Sequence, residues 1–392
     1  MSKLKVSALQ GLSASSDAIT LANDGTCTAN ITNRSNRNIL INGGMGIAQR
    51  YSSSTSHPAY GADRWRWGFG NHSAGTVTAS QQSLSSSDTG PWEKGFRNYT
   101  RLALGQAGTA AANTYISMRY KVEAQDIANS GWDYTSASSD ITISFWFRCS
   151  TNQTFYFEVK SDDGTAQSYV FSFTASGNNT WTKVTKTIPG NSNIQINNDN
   201  GSGLSLWIYQ FYGTDYSNNK TLDQWAAYSG SNIMPDMAST WLTAGASTWD
   251  LTGVQLEVGD HATDFEHRSY GDELAKCQRY CYEHLSSGSN VYASIMLGCY
   301  YNSSRIYGSF RFPVTMRTAP TMVCTDAHGA FQAYRDGAAD GVNEFHIDSA
   351  NNVGPNGAEI LNDTNASGTA GHVCFIRRQD ANTTTFRFEA EL

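Results

Sequence analysis

Apolar and polar residues alternate with a period of two along most of this chain. Ile141-Thr-Ile-Ser-Phe-Trp-Phe-Arg-Cys149 sets Ile141, Ile143, Phe145 and Phe147 on one face and Thr142, Ser144, Trp146 and Arg148 on the other. That is the pattern of a strand with one side in a core. Phe155, Phe157 and Val159 repeat it and stop at Ser161-Asp-Asp-Gly164, a turn-forming run. Tyr169, Phe171 and Phe173 follow, then Thr180 to Ile188. In the next strand Leu204, Leu206 and Ile208 line one face, while Trp207, Tyr209 and Phe211 line the other. Short strands at this spacing, from Asn38 to about Glu266, predict an antiparallel sandwich. The period returns over 291–301, 305–312, 321–324, 345–347, 372–378 and 385–390, which predicts a second β-module.

One helix is predicted between the two, over Gly271 to His284. Ser269 caps it, and Asp272 and Glu273 lie in the first turn, where the helix dipole favours negative charge. Leu274, Cys277, Cys281 and His284 recur at helical spacing. Cys277, Cys281 and His284 on one face could hold a metal with a fourth ligand. A docking stripe of small apolar groups is the preferred reading, because a helix must lay such a stripe on a sheet and Cys suits the task. The first residues, Ser7 to Ser16 and Asn23 to Ser35, are small and polar and cannot bury a core of their own. The chain therefore divides into an arm (1–36), a sandwich (37–267), a helical hinge (268–285) and a C-terminal β-sandwich module (286–392). The fold class is all-β.

Composition narrows the function. Charged residues make up 16% of 392 and aromatics 12%, with 35 Gly and a net charge of −7. The acidic balance, with no run of basic residues, argues against a nucleic-acid partner. The seven scattered cysteines include no C-x-x-C pair and suggest free thiols formed in a reducing cytoplasm. No apolar run is long enough to cross a bilayer, so no membrane insertion is expected.

Three stretches carry a resemblance. Asn38-Ile-Leu-Ile-Asn-Gly-Gly-Met-Gly-Ile-Ala-Gln-Arg50 with Ala62-Asp-Arg-Trp65 resembles the opening of a carbohydrate-binding-module-like jelly roll found in phage tail fibres. Trp249 to Gly259 with Thr263-Asp-Phe-Glu-His267 resembles its last strand. Arg268 to Tyr280 is similar to the helical hinge of the same bacteriophage proteins, which are common among marine phages and cyanophages. Lys3 to Leu9 also resembles short virion-attachment segments. The resemblance implies a homotrimeric tail fibre or receptor-binding protein, located on the virion. It would dock on other tail or neck proteins through its arm and attach to host cell-surface polysaccharide. The alternative is a fibre or decoration protein of head, neck or baseplate with no receptor of its own. A polysaccharide depolymerase is the third reading.

Sugar binding needs aromatic platforms flanked by polar groups. Trp146, Trp207 and Tyr209 lie on strand faces opposite the aliphatic ones. Trp132, Trp225 and Trp241 sit in Gly- and Ser-rich loops, with Tyr134 and Tyr228 nearby. These six, Trp146, Trp207, Tyr209, Trp132, Trp225 and Trp241, are the candidate carbohydrate-binding residues. The resemblance also implies a calcium ion (Ca2+) clamped by hard oxygen ligands, for which Asp63, Asp250 and Glu257 are the candidates. Leu274, Cys277 and Cys281 are the docking candidates of the hinge. For catalysis, Asp162, Asp163, Asp215, Asp223 and Asp236 lie near aromatics without a spacing suited to paired acid and base work. There is no Gly-x-Ser-x-Gly or His-Glu-x-x-His motif. No enzyme is expected. Polar loops at 336–341 and 351–371 suit an adaptable recognition tip.

Overall fold

The computed structural model describes residues 6–12, 17–21, 23, 27–29, 36–285, 292–327, 329–349, 352–379 and 384–392. Strands dominate, in keeping with the period-two patterning. The expected arm forms a three-stranded antiparallel sheet of Ala8–Gln10, Asp17–Leu21 and Cys27–Ala29. Its Leu9 and Leu12 are exposed.

The body is a sandwich. One sheet has six strands in the order Thr182–Pro189, Asp140–Cys149, Thr248–Val258, Asn98–Leu104, Val77–Ser83 and Ser53–Ser54. The other has seven, in the order Trp225–Ala227, Gln167–Ser176, Asn152–Ser161, Ser202–Tyr212, Tyr115–Glu123, Trp65–Gly70 and Ala59–Ala62. Their inner faces interdigitate, with Ile141, Ile143, Phe145 and Phe147 of the first sheet and Phe155, Phe157 and Val159 of the second fully buried. Phe145 stacks on Phe157 at 5.5 Å and meets Phe173 edge-on at 5.2 Å. Truncating one such ring to alanine would cost about 3–5 kcal/mol. Strand 140–149 pairs with 248–258 through a bulge in which Gly253 and Val254 together oppose Phe145. Gly253 has φ +63°, and a Cβ there would meet the Phe96 ring at 2.7 Å, so both the backbone conformation and the space require glycine.

A second core begins at Leu285 and includes Ile306, Phe331, Ile360, Ile376, Phe386 and Phe388. Around it lies a sheet running 338–342, 331–335, 373–378, 294–302, 305–311, 357–362 and 346–347, with 353–354 added beside 357–362. A three-stranded sheet completes it, with Phe386–Glu389 in the middle between Cys281–Leu285 and Thr321–Cys324.

The joint differs from its expected form. The helix runs Tyr270–Gln278, and Ser269 caps it by accepting from the Asp272 N–H at 3.2 Å. It stops at Arg279, and Cys281 opens a strand, so His284 belongs to that strand. Two partners account for the early stop. The Arg279 guanidinium makes paired 2.7 Å bonds to Glu123, and Cys281 opens the ladder to Phe386–Glu389, which outweighs two more turns of helix. Cys277 and Cys281 are both buried and Leu274 is half-buried.

A chain of ions joins the two bodies. Arg50 binds Glu389 and Glu391 at 3.1 Å each and lies 3.6 Å from Asp63. Arg64 pairs with Glu391, donates to the Lys121 carbonyl at 2.6 Å and stacks on Tyr280 at 3.4 Å. The side chains of both arginines are 2% exposed. Burial pushes the Glu391 carboxyl up, but Arg64 and Arg50 outweigh it and hold the group below the usual carboxylate range.

Candidate functional site

The seven-stranded sheet leaves one face outside the main core. In strand 202–212 the residues Leu204, Leu206 and Ile208 point inward, so Ser205, Trp207 and Tyr209 point outward. Register then builds a row across the sheet. Trp207 stands opposite Glu158 on one side and Arg119 on the other, Arg119 opposite Arg66, and Arg66 opposite Tyr60. A neighbouring row sets Tyr156, Tyr209, Ser117 and Gly68 side by side. The next sets Lys160, Ser205 and Lys121 together.

Trp207 is half-buried and lies parallel to Tyr209, with 7° between planes and 6.2 Å between centroids. The Arg119 guanidinium sits 5.3 Å from the Trp207 ring, a cation–π arrangement that fixes the indole's tilt. Tyr209 itself is 2% exposed and acts as backing. Its hydroxyl donates to Glu158, which also accepts from Ser168 at 2.6 Å. Burial raises the Glu158 carboxyl above its ordinary value, partly offset by the bonds from Ser168 and Tyr209. Segment 212–237 closes one end, where Tyr212, Ile233 and Met234 pack with Tyr156, Val170 and Tyr209. Between Trp207, Arg119, Arg66, His57, Tyr115 and Tyr212 remains a cleft of about 190 Å3. An apolar ring face, flanked by hydroxyls and guanidinium donors in an open cleft, can stack a pyranose and hydrogen-bond its substituents.

The other aromatic candidates fall in different places. Trp146 lies on the outer face of the six-stranded sheet, in a cleft of about 410 Å3 with Phe96, Phe265, Lys94, Lys183 and His267. Trp132 is 3% and Trp241 0% exposed, with indole N–H groups donating to Ser139 and Thr248 carbonyls. Trp225 is half-buried against the main core and donates to the Pro189 carbonyl at 2.7 Å. Trp132 and Trp241 are enclosed and present no platform, while Trp225 lies half-buried on the edge strand Trp225–Ala227.

Asp63, Asp250 and Glu257 are not brought together. Asp250 accepts from Arg101 at 2.7 and 2.8 Å and from Arg148 at 2.7 Å. Glu257 pairs with Arg37 at 3.2 Å and accepts from Thr263. Asp63 accepts from Gln49 at 2.7 Å and faces Arg50. Each carboxylate faces at least one arginine, Asp63 sharing Arg50 with Glu389 and Glu391, so the set does not fit a calcium ion. Among the described residues no three His, Cys, Asp or Glu side chains are grouped to hold a metal, Cys277, Cys281 and His284 included. No helix among them is long and apolar enough to cross a membrane.

Arg66, Arg119, Lys121, His57 and Tyr115 were absent from the sequence-derived candidates. The signal exists in Tyr115-Ile-Ser-Met-Arg-Tyr-Lys-Val122, where Ile116, Met118, Tyr120 and Val122 alternate with Ser117, Arg119 and Lys121.

No family model matches this chain, and no curated protein does. Solved structures with some likeness include the enzymatically active domain of bacteriophage CBA120 tailspike protein 4, at 9% identity and a TM-score of 0.29 over 57% of this chain. The match spans 22% of that tailspike chain. A family 61 carbohydrate-binding module in complex with β-1,4-galactotriose gives 11% identity and a TM-score of 0.28, over 57% of this chain and 99% of its own. A family 11 module from Clostridium thermocellum, with a mixed-linked tetrasaccharide, gives 12% and 0.25, over 55% and 98%.

Proposed function

We propose that this chain is a glycan-binding protein of a phage particle, a homo-oligomeric fibre that attaches to host surface polysaccharide through its sandwich. The observation that carries the sugar reading is the outward row of Glu158, Trp207, Arg119 and Arg66, with its open cleft beside an indole. The role is binding and not turnover. Supporting this, the two carboxylates on the face are already engaged: Glu158 by Tyr209 and Ser168, Asp162 by Ser202, Ser205 and Lys160.

Self-association is supported by the second module. Leu297, Tyr301, Val373 and Phe375 are 56–69% exposed on one sheet face, with Leu297 opposite Phe375 and Cys299 opposite Val373. An antiparallel sheet facing water is normally polar on that side, and a joined apolar patch marks an interface. Arg377 on one flank and Glu359 on the other are unlike charges, so a further copy of this chain can meet the patch with opposite charges facing. Copies on a common fibre give avidity, which makes a weak single site sufficient.

The test is retention of purified protein on immobilised glycans and on host cells. Wild type is retained and competes with infection, while Trp207→Ala loses retention by at least about tenfold. Retention of the alanine variant at wild-type strength would refute the site. Glycan retention without competition for infection would favour a decoration role on the particle. Release of reducing sugar from the polysaccharide would overturn the non-catalytic reading.

A further inference from the structure

The chain carries a net charge of −7, yet the outward face of the seven-stranded sheet is cationic. Arg66 and Arg119 stand directly opposite each other, and Lys121 and Lys160 flank Ser205 in the adjoining row. Like charges set opposite one another in a sheet are destabilising unless a counter-charge joins them. The acidic groups nearby are committed elsewhere. Asp162 binds Lys160 at 3.2 Å and two serine hydroxyls. Glu158 is enclosed and pushed toward its neutral form. Glu391 turns to Arg50 and Arg64. Arg119 is partly engaged already, donating at 3.4 Å to an oxygen of Leu392, the terminal residue of the sequence. Among the described residues no aspartate or glutamate side chain lies within salt-bridge distance of Arg66, Arg119 or Lys121.

Burial lowers the Arg119 and Lys121 pKa values, and neighbouring cations lower them further, Arg66 acting on the first and Arg119 on the second, against an upward pull from Asp162 on both and from Glu391 on Arg119. Mutual repulsion of this kind is relieved by an anion. The site's hydrogen-bonding capacity points the same way. Beside the hydroxyls of Ser117, Tyr115 and Tyr212 and the His57 ring, the cleft is lined by the guanidinium donors of Arg66 and Arg119, which accept nothing. A neutral sugar hydroxyl needs both kinds of partner, whereas a carboxylate or sulfate needs donors alone. Cross-strand neighbours lie about 5 Å apart, so a sugar ring resting on Trp207 brings an exocyclic acid group to the Arg119 fork, which matches it bidentately.

We propose, resting on the glycan reading above, that the ligand of this face is an acidic polysaccharide whose carboxylate or sulfate groups are held by Arg66, Arg119 and Lys121 beside Trp207. The experiment compares the full chain and its variants on four matrices: a polyuronate, a sulfated glycan, a neutral glycan and polyphosphate. Wild type should bind the polyuronate or the sulfated glycan at least about tenfold more tightly than the neutral one, and raising salt from about 0.05 to about 0.5 M should weaken it steeply. Which of the two acidic matrices is preferred identifies the acid group. Arg66→Gln with Lys121→Gln should lose about tenfold on the acidic matrix and markedly less on the neutral one, with the circular dichroism of the fold unchanged. Trp207→Ala should lose binding to both sugars.

Equal binding of acidic and neutral glycans, unaffected by the glutamine pair but lost with Trp207→Ala, would overturn the acidic ligand and leave the glycan reading intact. Binding to polyphosphate as tight as to the polyuronate, indifferent to Trp207→Ala, would reveal simple ion exchange and overturn both. Absence of binding to any matrix would do the same.

Discussion

Replacing Glu391 by glutamine tests whether the ion chain holds the two bodies together. The substitution keeps the shape of the side chain and removes the charge shared by Arg50 and Arg64. Arg50 retains Glu389 and its approach to Asp63, so it is not stranded. Arg64 keeps the Lys121 carbonyl, the faces of Tyr280 and Tyr120 and a neutral amide oxygen where the carboxylate stood. Removing one partner of a buried pair costs about 3–5 kcal/mol; with a single cation losing its counter-charge, the lower end, about 3 kcal/mol, is expected. The sequence supplies a convenient probe. All ten tryptophans lie between Trp65 and Trp249, so their fluorescence follows the sandwich alone, and a Phe331→Trp version adds a reporter in the second core. Urea unfolding should show the second module's transition moving to lower denaturant in Glu391→Gln, while the sandwich signal moves less. A loss below about 1 kcal/mol, or equal shifts of both signals, would refute the argument. Because the folded Glu391 titrates below its ordinary value, this contribution is present above the unfolded carboxylate pKa and disappears as pH falls through the folded one.

Glu283 has the opposite sign: burial, partly offset by Arg387, raises its carboxyl from 4.5 to about 7. Stability should therefore fall as pH rises from 4.5 to about 7, and thermal melts of Glu283→Gln should lose that slope. Gly253→Ala places a Cβ against Phe96 at a positive φ and should destabilise the sandwich by about 2 kcal/mol, read as a lower urea midpoint by tryptophan fluorescence. Leu297→Ser with Phe375→Ser removes the exposed apolar pair of the second module, and sedimentation should show smaller species than wild type with unchanged circular dichroism.

The strands were legible where alternation was strict. Ile141 to Phe147 and Leu204 to Ile208 occupy the faces their period assigns. Strands 65–70 and 331–335 carry weaker signals, since the first sets two glycines on its outer face and the second buries Gln332 beside Phe331 and Ala333. The helix start was legible through Ser269, but its end was set by tertiary partners, Glu123 for Arg279 and the 386–389 strand for Cys281. The candidate site was half legible. Trp207 declared itself by its face, whereas Arg119 and Arg66 come from strands far apart in sequence, and only the register Trp207, Arg119, Arg66 makes them neighbours. The loop tryptophans misled because Gly and Ser surroundings resemble an open loop, while Trp132 and Trp241 turn inward to backbone carbonyls.

The pairing of Cys281 with Glu389 places the way into the second module beside the way out. A module attached at one doorway can be exchanged whole, as a cassette, without rethreading the body that carries it. What an exchange must conserve includes the Cys281 to Leu285 and Phe386 to Glu389 ladder, Glu389 and Glu391 for Arg50 and Arg64, and Arg317 for Asn200. The loops farther out, 336–337 and 363–372 among them, are free of that constraint, so new surfaces can be tried there while the attachment stays the same.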